Sequence, residues 1–203
     1  MNIYDLTVSL DPSTPVYPGD PSVAVKPAGR LATDGWNDHI LTTGNHAGTH
    51  IDAPAHVLAN GKTLDRFPLN HFVGRGRYVD ARRGLNAKAL KTADLAPGDI
   101  VLFDTGTSDR FHDASYYKDY PVLSLEMVEL LVQAQVKMVG LDTGSADNQD
   151  GFPVHKALLQ AEILIIENLT NLEPLRDREF DVYALPLKLA LDGAPARVIA
   201  VAK

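Results

Sequence analysis

Cysteine is absent from the 203 residues, which removes disulfides, thiolate zinc sites, iron–sulfur clusters and cysteine nucleophiles together. Any metal must therefore be held by nitrogen and oxygen. Long apolar runs are missing as well. The densest, residues 161–166, falls far short of the about 18 residues that a membrane span needs, so no membrane partner is expected. The opening Met1-Asn-Ile-Tyr-Asp-Leu has neither a basic region nor an apolar stretch, so no signal peptide is read and a cytoplasmic location is expected. Positive charge is scarce: 19 Lys and Arg stand against 26 Asp and Glu, a net charge of −7. A protein that grips a phosphate backbone needs a basic face, which disfavours nucleic acid as a partner. The phosphate loop Gly-x-x-x-x-Gly-Lys, the nucleophile elbow Gly-x-Ser-x-Gly and the pair His-Glu-x-x-His are all missing from the sequence.

What is present suffices for a folded core. Hydrophobic residues make up 45% and charged residues 22%, the range of ordinary globular chains. No repeat or linker divides the chain, so residues 1–203 are read as one α/β domain, compact, rich in strands and with few helices. Strands are expected over 3–10, 99–104, 137–142, 162–167, 180–185 and 197–202. A helix is expected after Ser124, a good N-cap, with Leu125, Val128, Leu131 and Val132 on its apolar face, and a short one over 154–160. Arg75, Arg77, Arg82 and Arg83 read as solvated arginines flanking a strand, with an anion cradle as the alternative. Ser145 reads as a turn residue rather than a nucleophile.

Seven histidines occur, and four of them lie between positions 39 and 56. His39, His71 and His112 read as ordinary structural residues. His46, His50, Asp52 and His56 share parity, so in an extended chain they would lie on one face. A straight strand would set His46 and Asp52 about 20 Å apart, whereas ligand bonds to a metal are about 2 Å long. A helix would turn Asp52 away and meet Pro54. The segment must bend if these groups converge, and Gly48 and Pro54 are the residues that permit it. Imidazole with carboxylate suits zinc, manganese, iron or nickel. The second half adds His155 and Glu167. An acid ending a buried run needs a partner, unless it is simply solvated at the strand end.

The stretch His46-Ala-Gly-Thr-His50-Ile-Asp52-Ala-Pro-Ala-His56 resembles the signature of the cyclase-like metal-dependent hydrolases, whose best-known members are bacterial kynurenine formamidases (arylformamidases). The likeness continues through Tyr17-Pro-Gly-Asp20, Gly140-Leu-Asp-Thr143, Phe152-Pro-Val-His155, Ile166-Glu167-Asn168-Leu169, Ala184-Leu-Pro-Leu-Lys188 and Pro195-Ala-Arg-Val198, so it spans essentially the whole chain. It implies a mixed β-sheet core of the swivelling β/β/α type, a homodimer, and two divalent metal ions, zinc or alternatively manganese. By position, His46 and His50 would hold the first ion and His155 the second, Asp52 and Glu167 would touch or bridge both, and His56 would be the acid/base residue. Kynurenine formamidases carry Trp where Tyr17 stands and tend to have Ala at the place of Thr49. Tyr17 would face an aromatic small-molecule substrate, with Trp36 and Phe67 each a further candidate for that wall or, alternatively, a core residue.

The implied reaction is hydrolysis of an amide C–N bond, most specifically in an aryl formamide such as N-formylkynurenine. A cyclic amide such as isatin, or a cyclase or dehydratase reaction at the same site, is the alternative. A cupin-like metal-binding protein is disfavoured because no His-x-His occurs. A closed structural metal site is disfavoured because the motif supplies more ligands than such a site needs.

Overall fold

In a computed structural model describing residues 1–91 and 93–203, ten strands and four α-helices are found among the described residues. The strands are β1 (Asn2–Asp5), β2 (Ala24–Gly29), β3 (Asp38–Thr42), β4 (His50–Asp52), β5 (Val73–Asp80), β6 (Ile100–Asp104), β7 (Met138–Leu141), β8 (Leu164–Glu167), β9 (Phe180–Pro186) and β10 (Gly193–Ala202). The helices are α1 (Leu31–Asp34), α2 (Ala87–Lys91), α3 (Leu125–Gln133) and α4 (Pro153–Gln160). The main sheet runs β1-β10-β4-β8-β7-β6-β5-β9, and a further β9–β10 pairing closes seven of these strands into a barrel. β5 through β8 are parallel to one another, while β4, β9 and β10 enter antiparallel. The expected α/β class with a mixed sheet and few helices is what the chain adopts.

Chemistry explains the parallel centre. β6, β7 and β8 are buried at every position, and their runs Ile-Val-Leu-Phe, Met-Val-Gly-Leu and Leu-Ile-Ile are continuously apolar, as strands covered on both faces require. Helix α3 starts as its sequence dictates: the Ser124 hydroxyl accepts the Met127 N–H at 3.2 Å. Its buried face, however, is Met127, Val128 and Leu131, while Leu125 and Val132 are exposed, so the expected stripe is rotated by part of a turn.

Several expectations are corrected. The strand expected over 3–10 stops at Asp5, with a single bridge from Thr7 to Leu169 beyond it. Three of the four arginines are neither free nor an anion cradle, while Arg83 is exposed as expected. Arg75 and Arg77 clamp the buried Asp99, and Arg82 clamps the buried Asp104. β2 and β3 form a separate two-stranded sheet that was not expected from the residues.

One junction positions the site. At β8 the sheet changes from parallel to antiparallel, and β4 pairs there with His50 opposite Glu167. Residues directly opposite each other project to the same face, so register alone sets an imidazole beside a carboxylate. On its other edge β4 pairs with β10, placing Gly193 opposite Asp52.

Candidate metal centre

The bend required of residues 46–56 is present. Gly48 adopts φ +64, a left-handed conformation that glycine tolerates without strain, and Pro54 opens a single 3-10 turn, Pro54–His56. His46, His50, Asp52 and His56 therefore converge. With Tyr17, His155 and Glu167 they line one cavity of about 170 Å³, so all seven site residues expected from the sequence meet in one place. Glu167 is buried rather than solvated, and its Oε1 accepts the Ala146 N–H at 2.8 Å.

The acids sit among imidazoles. Asp52 Oδ1 lies 2.7 Å from His46 Nδ1 and 3.3 Å from His50 Nε2. His155 Nε2 lies 3.4 Å from Asp52 Oδ2 and 3.2 Å from Glu167 Oε1, and His50 Nε2 is 3.5 Å from Glu167 Oε2. Asp52 Oδ2 is buried and, among the described residues, has no hydrogen-bond partner. A buried carboxylate oxygen left this way is costly unless a cation or another donor meets it.

Two of the histidines are oriented for ligation. His50 Nδ1 donates to the Gly48 carbonyl at 2.8 Å, and His155 Nδ1 sits 2.8 Å from Asp147 Oδ2, so in each ring Nε2 is the nitrogen turned to the acids. Such outer partners fix the tautomer of a metal-binding histidine. Asp147 also accepts the backbone N–H groups of Val154 and His155 and so caps α4. Those bonds offset the about 1–3 kcal/mol cost of holding Phe152, the residue before α4, at φ 52. His46, like His155, has both nitrogens facing acids: Nδ1 faces Asp52 and Nε2 faces Asp192 Oδ2 at 2.9 Å. Two sets of ligand atoms lie close enough to hold an ion, His46–Asp52–His56 and His50–Asp52–Glu167, with Asp52 common to both.

Charge follows this geometry. Burial alone would raise the Asp52 carboxyl, but the His50 charge and the neighbouring His155 and His46 rings hold it well below the usual range. Burial would lower the three imidazoles, yet the acids prevail. Asp52 and Asp192 push His46 up to about 9, His50 is raised chiefly by Asp52, and His155 is raised by Asp147, Asp52 and Glu167.

Of the aromatic candidates, Tyr17 is at the cavity and Trp36 and Phe67 are not. Tyr17 lines the cavity, edge-on to Tyr117 at 5.6 Å between ring centroids, and Phe152, also in the lining, has its ring centroid 5.8 Å from that of His155. Trp36 is instead in the β2–β3 hairpin, where its ring packs on Gly29. Phe67 is buried beside a separate apolar cavity with Leu64 and Phe72. Thr49, where formamidases tend to have Ala, ties strands together: its hydroxyl donates to the Asn168 carbonyl at 2.6 Å and accepts the Val8 N–H at 3.0 Å. Asp192, Asp147 and Tyr117 were not singled out by sequence reasoning, and Phe152 was noted only within a motif, without a site role. Asp192 lies 136 residues from His56, so no local pattern could link them.

Residues 4–148 match the model of the cyclase family, and over 98% of its length the chain is 33% identical to the kynurenine formamidase of Salinibacter ruber, covering 97% of that protein. The chain belongs to the cyclase family. Among solved structures, this cyclase-family chain is similar to isatin hydrolase A from Labrenzia aggregata bound to benzyl benzoate (TM-score 0.88, 26% identity, 98% and 93% coverage). It is also similar to a structure described as a potential metal-dependent hydrolase with cyclase activity (TM-score 0.81, 30% identity, 98% and 96% coverage).

Proposed function

We propose that the protein is a metal-dependent amidohydrolase, a single domain over residues 1–203, that cleaves the C–N bond of an aryl formamide such as N-formylkynurenine. The observation that carries this reading is the buried Asp52 carboxylate, whose Oδ1 faces His46 and His50 and whose Oδ2, without a hydrogen-bond partner among the described residues, lies toward His155 beside the second acid Glu167. A nitrogen-and-oxygen donor set of this kind suits zinc or manganese. His46, His50, Asp52, His155 and Glu167 would hold two divalent ions. What such ions supply when bound is polarisation of a carbonyl and a water acidic enough to act as hydroxide near neutral pH.

The chain's own groups do the rest. Tyr17, Tyr117 and Phe152 form an aromatic rim that suits an aryl ring and directs the smaller acyl group toward the acids. Attack by water oxygen on the carbonyl carbon must be followed by breakage of the C–N bond, and the departing nitrogen needs a proton. His56, on the cavity wall, takes up the proton that the attacking water gives up and delivers it to that nitrogen, a task for which imidazole is suited near neutral pH. A cyclic amide such as isatin is the second reading, favoured by the close match to isatin hydrolase A.

The homodimer is part of the proposal. A two-stranded sheet standing alone is marginal in water, yet β2–α1–β3 leaves Leu31, Trp36, Ile40 and Leu41 exposed, which suits coverage by a second copy. Sedimentation of the protein as a monomer at micromolar concentration would refute that element.

Two experiments test the chemistry. N-formylkynurenine, isatin and simple aryl formamides assayed side by side should give the highest kcat/KM for an aryl formamide, and turnover of isatin alone would select the cyclic-amide reading. His56→Ala should keep its metal and lose turnover, whereas His46→Ala and Asp52→Ala should lose metal.

A further inference from the structure

Asp192 precedes β10 and is stitched by its main chain to the segment that carries the site: its carbonyl accepts the Ala53 N–H at 2.8 Å, and the next residue, Gly193, pairs with Asp52. Its carboxylate is held from one side and used on the other. Oδ1 accepts from Asn45 Nδ2 at 2.9 Å. Oδ2 faces two rings at once, His46 Nε2 at 2.9 Å and His56 Nδ1 at 3.2 Å. The two rings lie against each other, their centroids 4.2 Å apart and their planes 37° from parallel. Among the described residues His56 Nε2 has no hydrogen-bond partner.

In an imidazole the two nitrogens are linked: a carboxylate that takes the proton of one fixes the tautomer and the rotation of the ring, and leaves the lone pair on the other. We propose that Asp192 is the positioning residue for His56, its Oδ2 holding Nδ1–H so that Nε2 is the nitrogen that exchanges a proton with substrate. This rests on the amide-hydrolysis reading given above. Asn45 acts one step further out, by stopping the carboxylate from rotating. An amide at position 192 cannot reproduce this arrangement. With its oxygen toward Asn45 it turns an NH₂ to His56 and imposes the opposite tautomer. Turned the other way, it sets two NH₂ groups face to face.

Since Asp192 also touches His46, a role through metal binding alone is the rival, and a double-mutant cycle in the metal-loaded enzyme separates the two. Metal content, KM and kcat on N-formylkynurenine are measured for the parent, Asp192→Asn, His56→Ala and the double variant, with Asn45→Ala as a second route to the same carboxylate. Asp192→Asn is expected to keep metal content and KM within about twofold while kcat falls about 10–100-fold. On the His56→Ala background the same substitution is expected to cost less than about twofold, and Asn45→Ala should lower kcat in the same direction by a smaller factor. An equal fall on both backgrounds, a fall matched by metal loss, or unchanged kcat in both Asp192→Asn and Asn45→Ala overturns the proposal. Full turnover by His56→Ala alone overturns the underlying acid/base reading instead, and the proposal with it.

Discussion

Gly193→Ala probes the centre by shape alone, leaving every donor atom in place. Gly193 opens β10 opposite Asp52, and a Cβ there would lie 2.5 Å from His46 Cε1 and 3.0 Å from each ring nitrogen. Carbon atoms in contact sit about 3.5–4.0 Å apart, so the ring would have to retreat by roughly 1 Å. It is not free to do so, because Nδ1 is held by Asp52 at 2.7 Å and Nε2 by Asp192 at 2.9 Å. Gly193 is not among the residues at positive φ, so the backbone itself accepts alanine and the effect isolates the clash. Overpacking of this size costs about 1–3 kcal/mol of stability, and a misplacement of about 1 Å at a reacting centre costs about 100-fold in rate. Urea unfolding, metal content and kcat of the variant measure both. Gly44→Ala is the control: its Cβ would meet Pro21 no closer than 3.6 Å, and a change within about 0.5 kcal/mol is expected. A Gly193→Ala protein with the parent's stability, metal content and turnover would refute the packing of His46 described here.

Loading metal should release protons. In the metal-free protein His46 sits at about 9 and His50 and His155 are raised, so apparent affinity should climb between pH 6.5 and about 9, and uptake without proton release in weak buffer would contradict this. By the same sign, the raised His46 stabilises the metal-free fold fully below 6.5 and loses that contribution as pH rises through about 9. Asp99→Asn acts at the acid end. Burial would raise this carboxyl, but Arg75, the Ala96 N–H and Arg77 hold it low, so its stabilisation is present above about 4 and is lost as pH falls through the native value. The variant should lose about 1–3 kcal/mol at pH 7 and show a shallower acid limb in unfolding. Tyr17→Ala should raise KM for an aryl formamide several-fold more than for an alkyl formamide, and equal shifts would remove Tyr17 from the substrate wall.

Local spacing carried most of the site because its centre is local. His46, His50, Asp52 and His56 fall within eleven residues, and the only question was whether Gly48 and Pro54 bend the chain, which they do. The buried strands were legible for the same reason: continuous apolar runs such as Ile100–Phe103 admit few other readings. What escaped depends on distant pairing. Asp192 reaches His46 and His56 only because β10 lies beside β4, and Asp147 reaches His155 only once α4 folds back on the loop after β7. The β2–β3 hairpin escaped for a different reason. Its residues are almost wholly exposed, so no buried alternation marks it, and Trp36, one candidate for the substrate wall, packs on the hairpin itself.

Anomalous diffraction at the zinc edge, from crystals grown with zinc, tests the central claim most directly. Two peaks are predicted, within about 2.0–2.2 Å of atoms from His46, His50, Asp52, His155 and Glu167. An active, zinc-loaded crystal with no peak touching Asp52 would contradict it.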